Sequence, residues 1–157
     1  MKITLIQPSY HNIWEPIAIG YLVAYCKHNL SKDIVFQAFH ENFDSLDEII
    51  NKSLDSDIIG FSCTSPAFAR GLKIAEEIKK QSPNIKIIFG GWHVSSFRER
   101  IFEDSQNNII DQIVIGEGEI ALSEIINGNK NKIIYGKQPT WDILPWPDRE
   151  IIKNERT

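Results

Sequence analysis

The sequence predicts a three-layer α/β fold, an open sheet of parallel strands joined by crossover helices. Three observations predict it. Short apolar runs bounded by turn residues read as buried strands, the stretches between them carry apolar residues at helical spacing, and the two alternate along the chain. A length of 157 residues suits one domain of this kind.

The elements follow in order. Ile3 to Gln7 is the first strand, and Pro16 to His28 a largely apolar helix with its proline in the tolerated first turn. Ile34 to Phe39 is the second strand. Ser45, with Glu48 three residues on, forms a capping box for a helix that buries Leu46, Ile49, Ile50 and Leu54. Ile58 to Ser62 is the third strand. Pro66 opens a helix with Phe68, Leu72, Ala75 and Ile78 on one face and mostly charged residues on the other. Ile85 to Phe89 is the fourth strand, followed by Gly90-Gly91-Trp92-His93 and a shorter helix carrying Phe97, Ile101 and Phe102. Ile109 to Ile115 is the fifth strand, and Gly116-Glu117-Gly118-Glu119 turns into a helix with Leu122, Ile125 and Ile126 inward, closed by Asn127-Gly128-Asn129. Residues 1–130 thus form the α/β unit. Residues 131–157 offer an edge strand at Ile133–Gly136 and then a Pro/Trp-rich linker. Such a series most often gives the strand order 2-1-3-4-5, with ligands beyond the carboxyl ends of the strands.

Composition narrows the function. Seventeen basic against twenty-one acidic residues leave a net charge of -4, and basic pairs such as Lys79-Lys80 read as solvated helix faces, so nucleic acid is not an expected partner. No run approaches the roughly eighteen apolar residues of a membrane span, and the chain starts on a strand rather than a signal-peptide core; a soluble cytoplasmic protein is expected. Two cysteines, Cys26 and Cys63, are too few for a disulfide framework, a four-thiolate zinc site or an iron-sulfur cluster.

The loops at the strand ends carry what chemistry there is. Ser62-Cys63-Thr64-Ser65-Pro66 and Gly90-Gly91 are built from small groups, which leave room for a ligand segment between sheet and helix or simply make tight turns. The first loop, Pro8-Ser9-Tyr10-His11-Asn12-Ile13-Trp14-Glu15, is long and aromatic, as a surface against a flat ligand would be. His11 and His93 read as exposed loop imidazoles more readily than as metal ligands, and His93, beyond a Gly-Gly turn, is the better placed to contact a ligand. Glu117 and Glu119 at a helix start argue against a phosphate there; they suit ribose hydroxyls or primary amides, or serve as helix-capping acids. The acidic residues of a phosphoacceptor receiver, the Ser/Thr/Gly-rich first loop of a flavodoxin, a Gly-x-Gly-x-x-Gly and a Walker A sequence are all missing from their places.

Together these residues resemble the cobalamin-binding domain at the N-terminus of many cobalamin-dependent radical S-adenosylmethionine enzymes. The resemblance covers nearly the whole chain. It rests on Pro8, on Pro16 to Leu22, on Asp57-Ile58-Ile59-Gly60-Phe61-Ser62, and most specifically on Gly90-Gly91-Trp92-His93 and Gly116-Glu117-Gly118-Glu119 at their mutual spacing. Leu144-Pro145-Trp146-Pro147-Asp148-Arg149 is similar to the segment that leads into the radical barrel of those proteins. The barrel's Cys-x-x-x-Cys-x-x-Cys does not occur, so S-adenosylmethionine and its [4Fe-4S] cluster would belong to a barrel in cis, beyond this chain, or in trans.

The resemblance implies a flavodoxin-like fold holding cobalamin over the strand ends, with its nucleotide tail entering beside Ser62, Thr64, Gly90 and Gly91. Corrin side-chain amides would then explain Glu117 or Glu119, and the expected binding set is Pro8, Tyr10, His11, Glu15, Ser62, Cys63, Thr64, Phe68, Gly90, Gly91, Trp92, His93, Gly116, Glu117, Gly118 and Glu119. The Asp-x-His-x-x-Gly motif that gives cobalt a histidine in methionine synthase and the mutases is absent after the first strand. The implied state is base-off, without a histidine ligand, and the implied reaction methyl transfer or related radical chemistry. Alone, the chain is expected to catalyse nothing. Two alternatives stay open: a degenerate copy acting as an interaction module through Trp14, Trp92 and Trp146, and a flavin- or nucleotide-binding protein.

Overall fold

A computed structural model describes residues 1–9, 15–31 and 33–152. Its elements are β1 (Lys2–Gln7), α1 (Ile17–Asn29), β2 (Val35–His40), α2 (Leu46–Ser53), β3 (Ile58–Ser62), α3 (Ser65–Gln81), β4 (Lys86–Gly90), α4 (Trp92–Phe97), β5 (Gln112–Gly116), α5 (Glu119–Ile126) and β6 (Ile133–Gly136). The strands form one six-stranded sheet in the order β2-β1-β3-β4-β5-β6. Every pairing is parallel, because each strand is followed by a crossover that returns the chain to the same end of the sheet. The expected order holds, with β6 added at the far edge.

Period-two alternation divides the core into two layers. Ile6, Ile59, Phe61, Ile87, Phe89 and Ile113 face α2, α3 and α4. Leu5, Ile58, Ile88, Val114 and Ile134 face α1 and α5, which pack on one another. Ser45 caps α2 as its sequence predicts, its Oγ accepting the Glu48 N–H at 3.2 Å. Cys26 and Cys63 are both free and buried, and they lie in different layers.

One stretch departs from expectation. The helix predicted through Ile101 and Phe102 stops at Phe97, where Arg98 takes a positive φ of 55°. Two 3-10 segments follow, Arg98–Glu103 and Ser105–Ile109, and β5 starts only at Gln112. Polar side chains hold these turns: Asp104 accepts from Gln106 N at 2.9 Å, and Asn107 Nδ2 donates to Ile101 O at 2.6 Å. Such local bonds compete with both a continued helix and an early strand.

Beyond β6 the chain returns to α1. Asp148 N donates to Gly20 O at 3.0 Å, the Asp148 carboxylate pairs with Lys27 at 2.7 Å, and Ile152 enters the α1/α5 layer. Gly20 permits this approach, since a Cβ there would lie 3.1 Å from that of Pro147. Among the described residues no helix is long and apolar enough to cross a membrane.

Candidate functional site

A cavity of about 330 Å³ opens at the carboxyl end of the sheet, on its α1/α5 face. Its inner wall is a row of register partners, Leu5, Gly60 and Ile88, on three adjacent strands. Two residues further along, on the same face of their strands, come Ser62 and Gly90, and at the end of β5 comes Gly116, two residues beyond Val114. Ile19 and Leu22 of α1 and Leu122 of α5 close it from the helix side. Glycine keeps it open: a Cβ on Gly60 would meet Leu5 Cδ2 at 2.8 Å, and one on Gly118 would meet Leu22 Cδ2 at 2.7 Å.

The rim is fixed by backbone contacts. Gly91 has a φ of 93°, and a Cβ there would lie 2.7 Å from Cys63 O and 2.8 Å from Cys63 N. That approach lets Cys63 N donate to Gly90 O at 3.0 Å and Cys63 O accept from His93 N at 3.1 Å, tying the loops after β3 and β4 together. At the end of β5, Gly116 N donates to Ser95 Oγ at 3.0 Å, and the Glu117 carbonyl crosses directly over Gly136, where no side chain fits.

Glu119 is the polar feature of this cavity that calls for a partner. It lines the opening from the first turn of α5, and its buried Oε2 has no hydrogen-bond partner among the described residues. Burial raises its pKa above the ordinary value; the backbone N–H groups at Glu119 and Gly118 partly offset this, and the Glu117 charge adds to it. Burial, with the Glu119 charge adding, likewise pushes the nearby Cys26 thiol up to about 12. A carboxyl with an unpaired oxygen beside an apolar cavity is a site for a hydrogen-bond donor on a ligand.

The structure brings half of the residues singled out from the sequence to this cavity: Ser62, Gly90, Gly91, Trp92, Gly116, Glu117, Gly118 and Glu119. Others lie elsewhere. Cys63 and Phe68 belong to the opposite layer: Cys63 follows Ser62 in the alternation of β3, and Phe68 is on the buried face of α3. Phe68 packs edge-on to Phe89 and stacks on His93, with ring centroids at 5.4 and 4.1 Å. The His93 ring also stacks on Phe97, its Nδ1 lies 3.1 Å from Ser65 Oγ, and burial lowers its pKa. Thr64 is the residue before α3, with a buried Oγ1 lacking a partner among the described residues. Pro8 packs over Gly71 of α3, and Glu15 accepts from Arg149 Nη1 at 2.8 Å. Tyr10 and His11 lie outside the described residues. Neither Phe68 nor Trp92 plugs the opening, and Trp92 is 79% exposed. Sequence reasoning missed the inner wall, for which a glycine at the centre of a strand, Gly60, was the available signal.

Comparison with known proteins decides the family. Residues 3–126 match the model of the B12 binding domain. The chain belongs to that family. It is 27% identical over 135 residues to an anaerobic magnesium-protoporphyrin IX monomethyl ester cyclase of Rubrivivax gelatinosus, covering 80% of this chain and 24% of the cyclase. It is 30% identical over 79 residues to the cobalamin-dependent radical SAM methyltransferase TokK of Streptomyces tokunonensis, covering 50% of this chain and 11% of TokK. An uncharacterized methyltransferase of Pyrococcus horikoshii is 26% identical over 169 residues, with 98% of this chain and 36% of that protein covered. The B12-binding chain therefore spans only a minor part of these relatives. In fold it is similar to the N-terminal domain of a hypothetical protein of Thermotoga maritima, with a TM-score of 0.52 at 20% identity, over 81% of this chain and 94% of that one. The site suits the family's ligand: glycines make space beside the sheet, and Glu119 offers an unpaired acceptor to the amides that rim a corrin.

Proposed function

We propose that this B12-binding domain holds cobalamin across the carboxyl ends of β1, β3, β4 and β5 with its nucleotide tail lowered into the α1/α5 cavity, and presents it to a radical S-adenosylmethionine domain in cis or in trans in the cytoplasm. The observation that carries the reading is the cavity itself, open at the strand ends and floored by Gly60. Bound cobalt supplies methyl relay or a related radical step, together with the S-adenosylmethionine and [4Fe-4S] cluster of the partner domain.

The chain's own residues bind and orient. Gly90 and Gly91 let the tail pass, and the Ser62 hydroxyl lies beside its path. Glu119, with Glu117 on the rim, accepts from corrin amides, which replaces the missing partner of Oε2. The sequence after β1 lacks the Asp-x-His-x-x-Gly histidine, so bound cobalamin would be base-off without a histidine from that motif. Such a cofactor would supply the low-coordinate cobalt that suits methyl transfer. The linker role expected of residues 131–157 belongs to the same proposal, with Asp148 and Ile152 held against α1.

Purified protein mixed with hydroxocobalamin is expected to keep a corrin absorption band after desalting; loss of all colour overturns the reading. Trp146 and Trp92, exposed at 90% and 79%, favour a protein contact as well. A partner retained equally with and without cobalamin in a pull-down would support a purely interacting module instead.

A further inference from the structure

We infer that Pro147–Ile152 is a strap, organised by Asp148 as a positioning residue, that holds α1 as the wall of the cavity, so that docking of the strap and occupancy of the cavity are coupled. The coupling rests on the cobalamin reading above. The strap lies outside residues 3–126, the span that matches the family, and none of its residues lines the cavity.

The helix α1 works on two faces. Ala18, Ile19 and Leu22 turn to the cavity. Gly20 and Lys27, seven residues and so nearly two turns apart, share another face, and the strap lies on it. Asp148 organises the contact. Its N–H donates to Gly20 O at 3.0 Å, and its Oδ2 accepts from Lys27 Nζ at 2.7 Å. Its Oδ1 accepts from Ile151 N at 3.2 Å, turning the chain so that Ile152 is buried in the α1/α5 layer. Arg149 Nη1 donates to Glu15 Oε2 at 2.8 Å, just before the first turn of α1. The hydrogen bond from Lys27 holds the Asp148 carboxyl below its ordinary pKa, as a formed pair requires.

Gly20 is shaped to this contact. The three atoms nearest a Cβ there all belong to the strap: Pro147 Cβ at 3.1 Å, and Asp148 O and Ile152 Cδ1 both at 3.2 Å. A helix interior disfavours glycine, and here the missing side chain admits the strap. One backbone bond, two part-exposed ion pairs and one buried isoleucine hold it, so it opens locally more readily than the sheet does. A ligand packed on Ala18, Ile19 and Leu22 favours α1 in its strapped position. By linkage, loosening the strap weakens the ligand by the same factor.

The test combines amide hydrogen exchange with absorption titration of the whole chain by hydroxocobalamin. Wild type is expected to gain protection in residues 147–152 on binding, although the strap lines no part of the cavity. Gly20→Leu fills the strap's place; it is expected to bind roughly tenfold more weakly and to speed exchange in residues 17–22 of the empty protein, with α2 and α3 unchanged. Lys27→Ala, which leaves the Asp148–Ile151 bond in place, is expected to weaken binding up to about fivefold, and Lys27→Arg to restore it. A general loss of stability would speed exchange in every element and give no such rescue. If Gly20→Leu does not fold, the Lys27 variants and the wild-type protection decide. Binding that leaves residues 147–152 unprotected, or an affinity unchanged by Gly20→Leu and Lys27→Ala alike, overturns the coupling while cobalamin binding stands. Failure of wild type to bind hydroxocobalamin overturns the functional reading together with the inference.

Discussion

The two faces of the sheet are built from the same strands and packed to different ends. Toward α2, α3 and α4 the strands send Phe61 and Phe89, stacked with centroids 4.6 Å apart, and α3 adds Phe68 edge-on to Phe89. Toward α1 and α5 the neighbouring positions are Gly60, Ser62 and Gly90, and a cavity remains. One face carries the packing energy and the other gives some of it up to keep a space. A residue's contribution to stability should therefore depend on which face its strand position addresses.

Phe89→Ala breaks this comparison most severely. Phe89 is fully buried at the centre of the filled face, and truncation is expected to cost about 3–5 kcal/mol in denaturant unfolding. Gly60→Ala, at the adjacent position on the open face, is expected to stay within about 1 kcal/mol of wild type: only the end of the Leu5 side chain has to move, and strand entropy is gained. Equal losses in the two variants would mean that the faces are packed alike.

Glu41 gives a second, smaller contrast at the other edge of the site. Its side chain is only 7% exposed, pairs with the Arg70 guanidinium and accepts from Ser9 N at 2.8 Å, fixing the point where the chain leaves β1. Glu41→Ala removes both bonds and leaves the part-exposed guanidinium and the exposed Ser9 amide to water, with an expected cost of up to about 1 kcal/mol; an unfolding curve matching wild type would show that the clamp is idle.

Glu119→Gln sharpens the comparison through pH. The folded-state pKa of Glu119 lies above the ordinary 4.5, so ionising it costs the empty fold. That cost is absent below the unfolded value and grows as pH rises from there through the folded pKa. The variant should match wild type near pH 4 and be the more stable of the two at pH 7.5. It should also bind hydroxocobalamin about fivefold more weakly, since a neutral acceptor replaces a charged one. Unchanged stability at both pH values would remove Glu119 from the buried site.

Much of this was legible in the sequence. The apolar runs and capping signals gave the element order, and the small residues that end β3, β4 and β5 marked the rim. The inner wall was legible only at Gly60, because Leu5, Ile88 and Val114 look like any buried strand residues until the crossovers decide which face lies under α1 and α5. The same ambiguity drew Cys63 and Phe68 into the candidate set, although strand alternation and the α3 packing send both to the filled face. Residues 98–109 misled for another reason: Phe97, Ile101 and Phe102 have helical spacing, and the turn bonds of Asp104 and Asn107 override it.

Amide hydrogen exchange with and without hydroxocobalamin tests the central claim most directly, since it reports on both faces at once. The account predicts slowed exchange in residues 17–22 and 116–122, around the cavity, with α2 and the body of α3 unchanged. Protection confined to the α2/α3 face, or none anywhere at saturating cofactor, would contradict it.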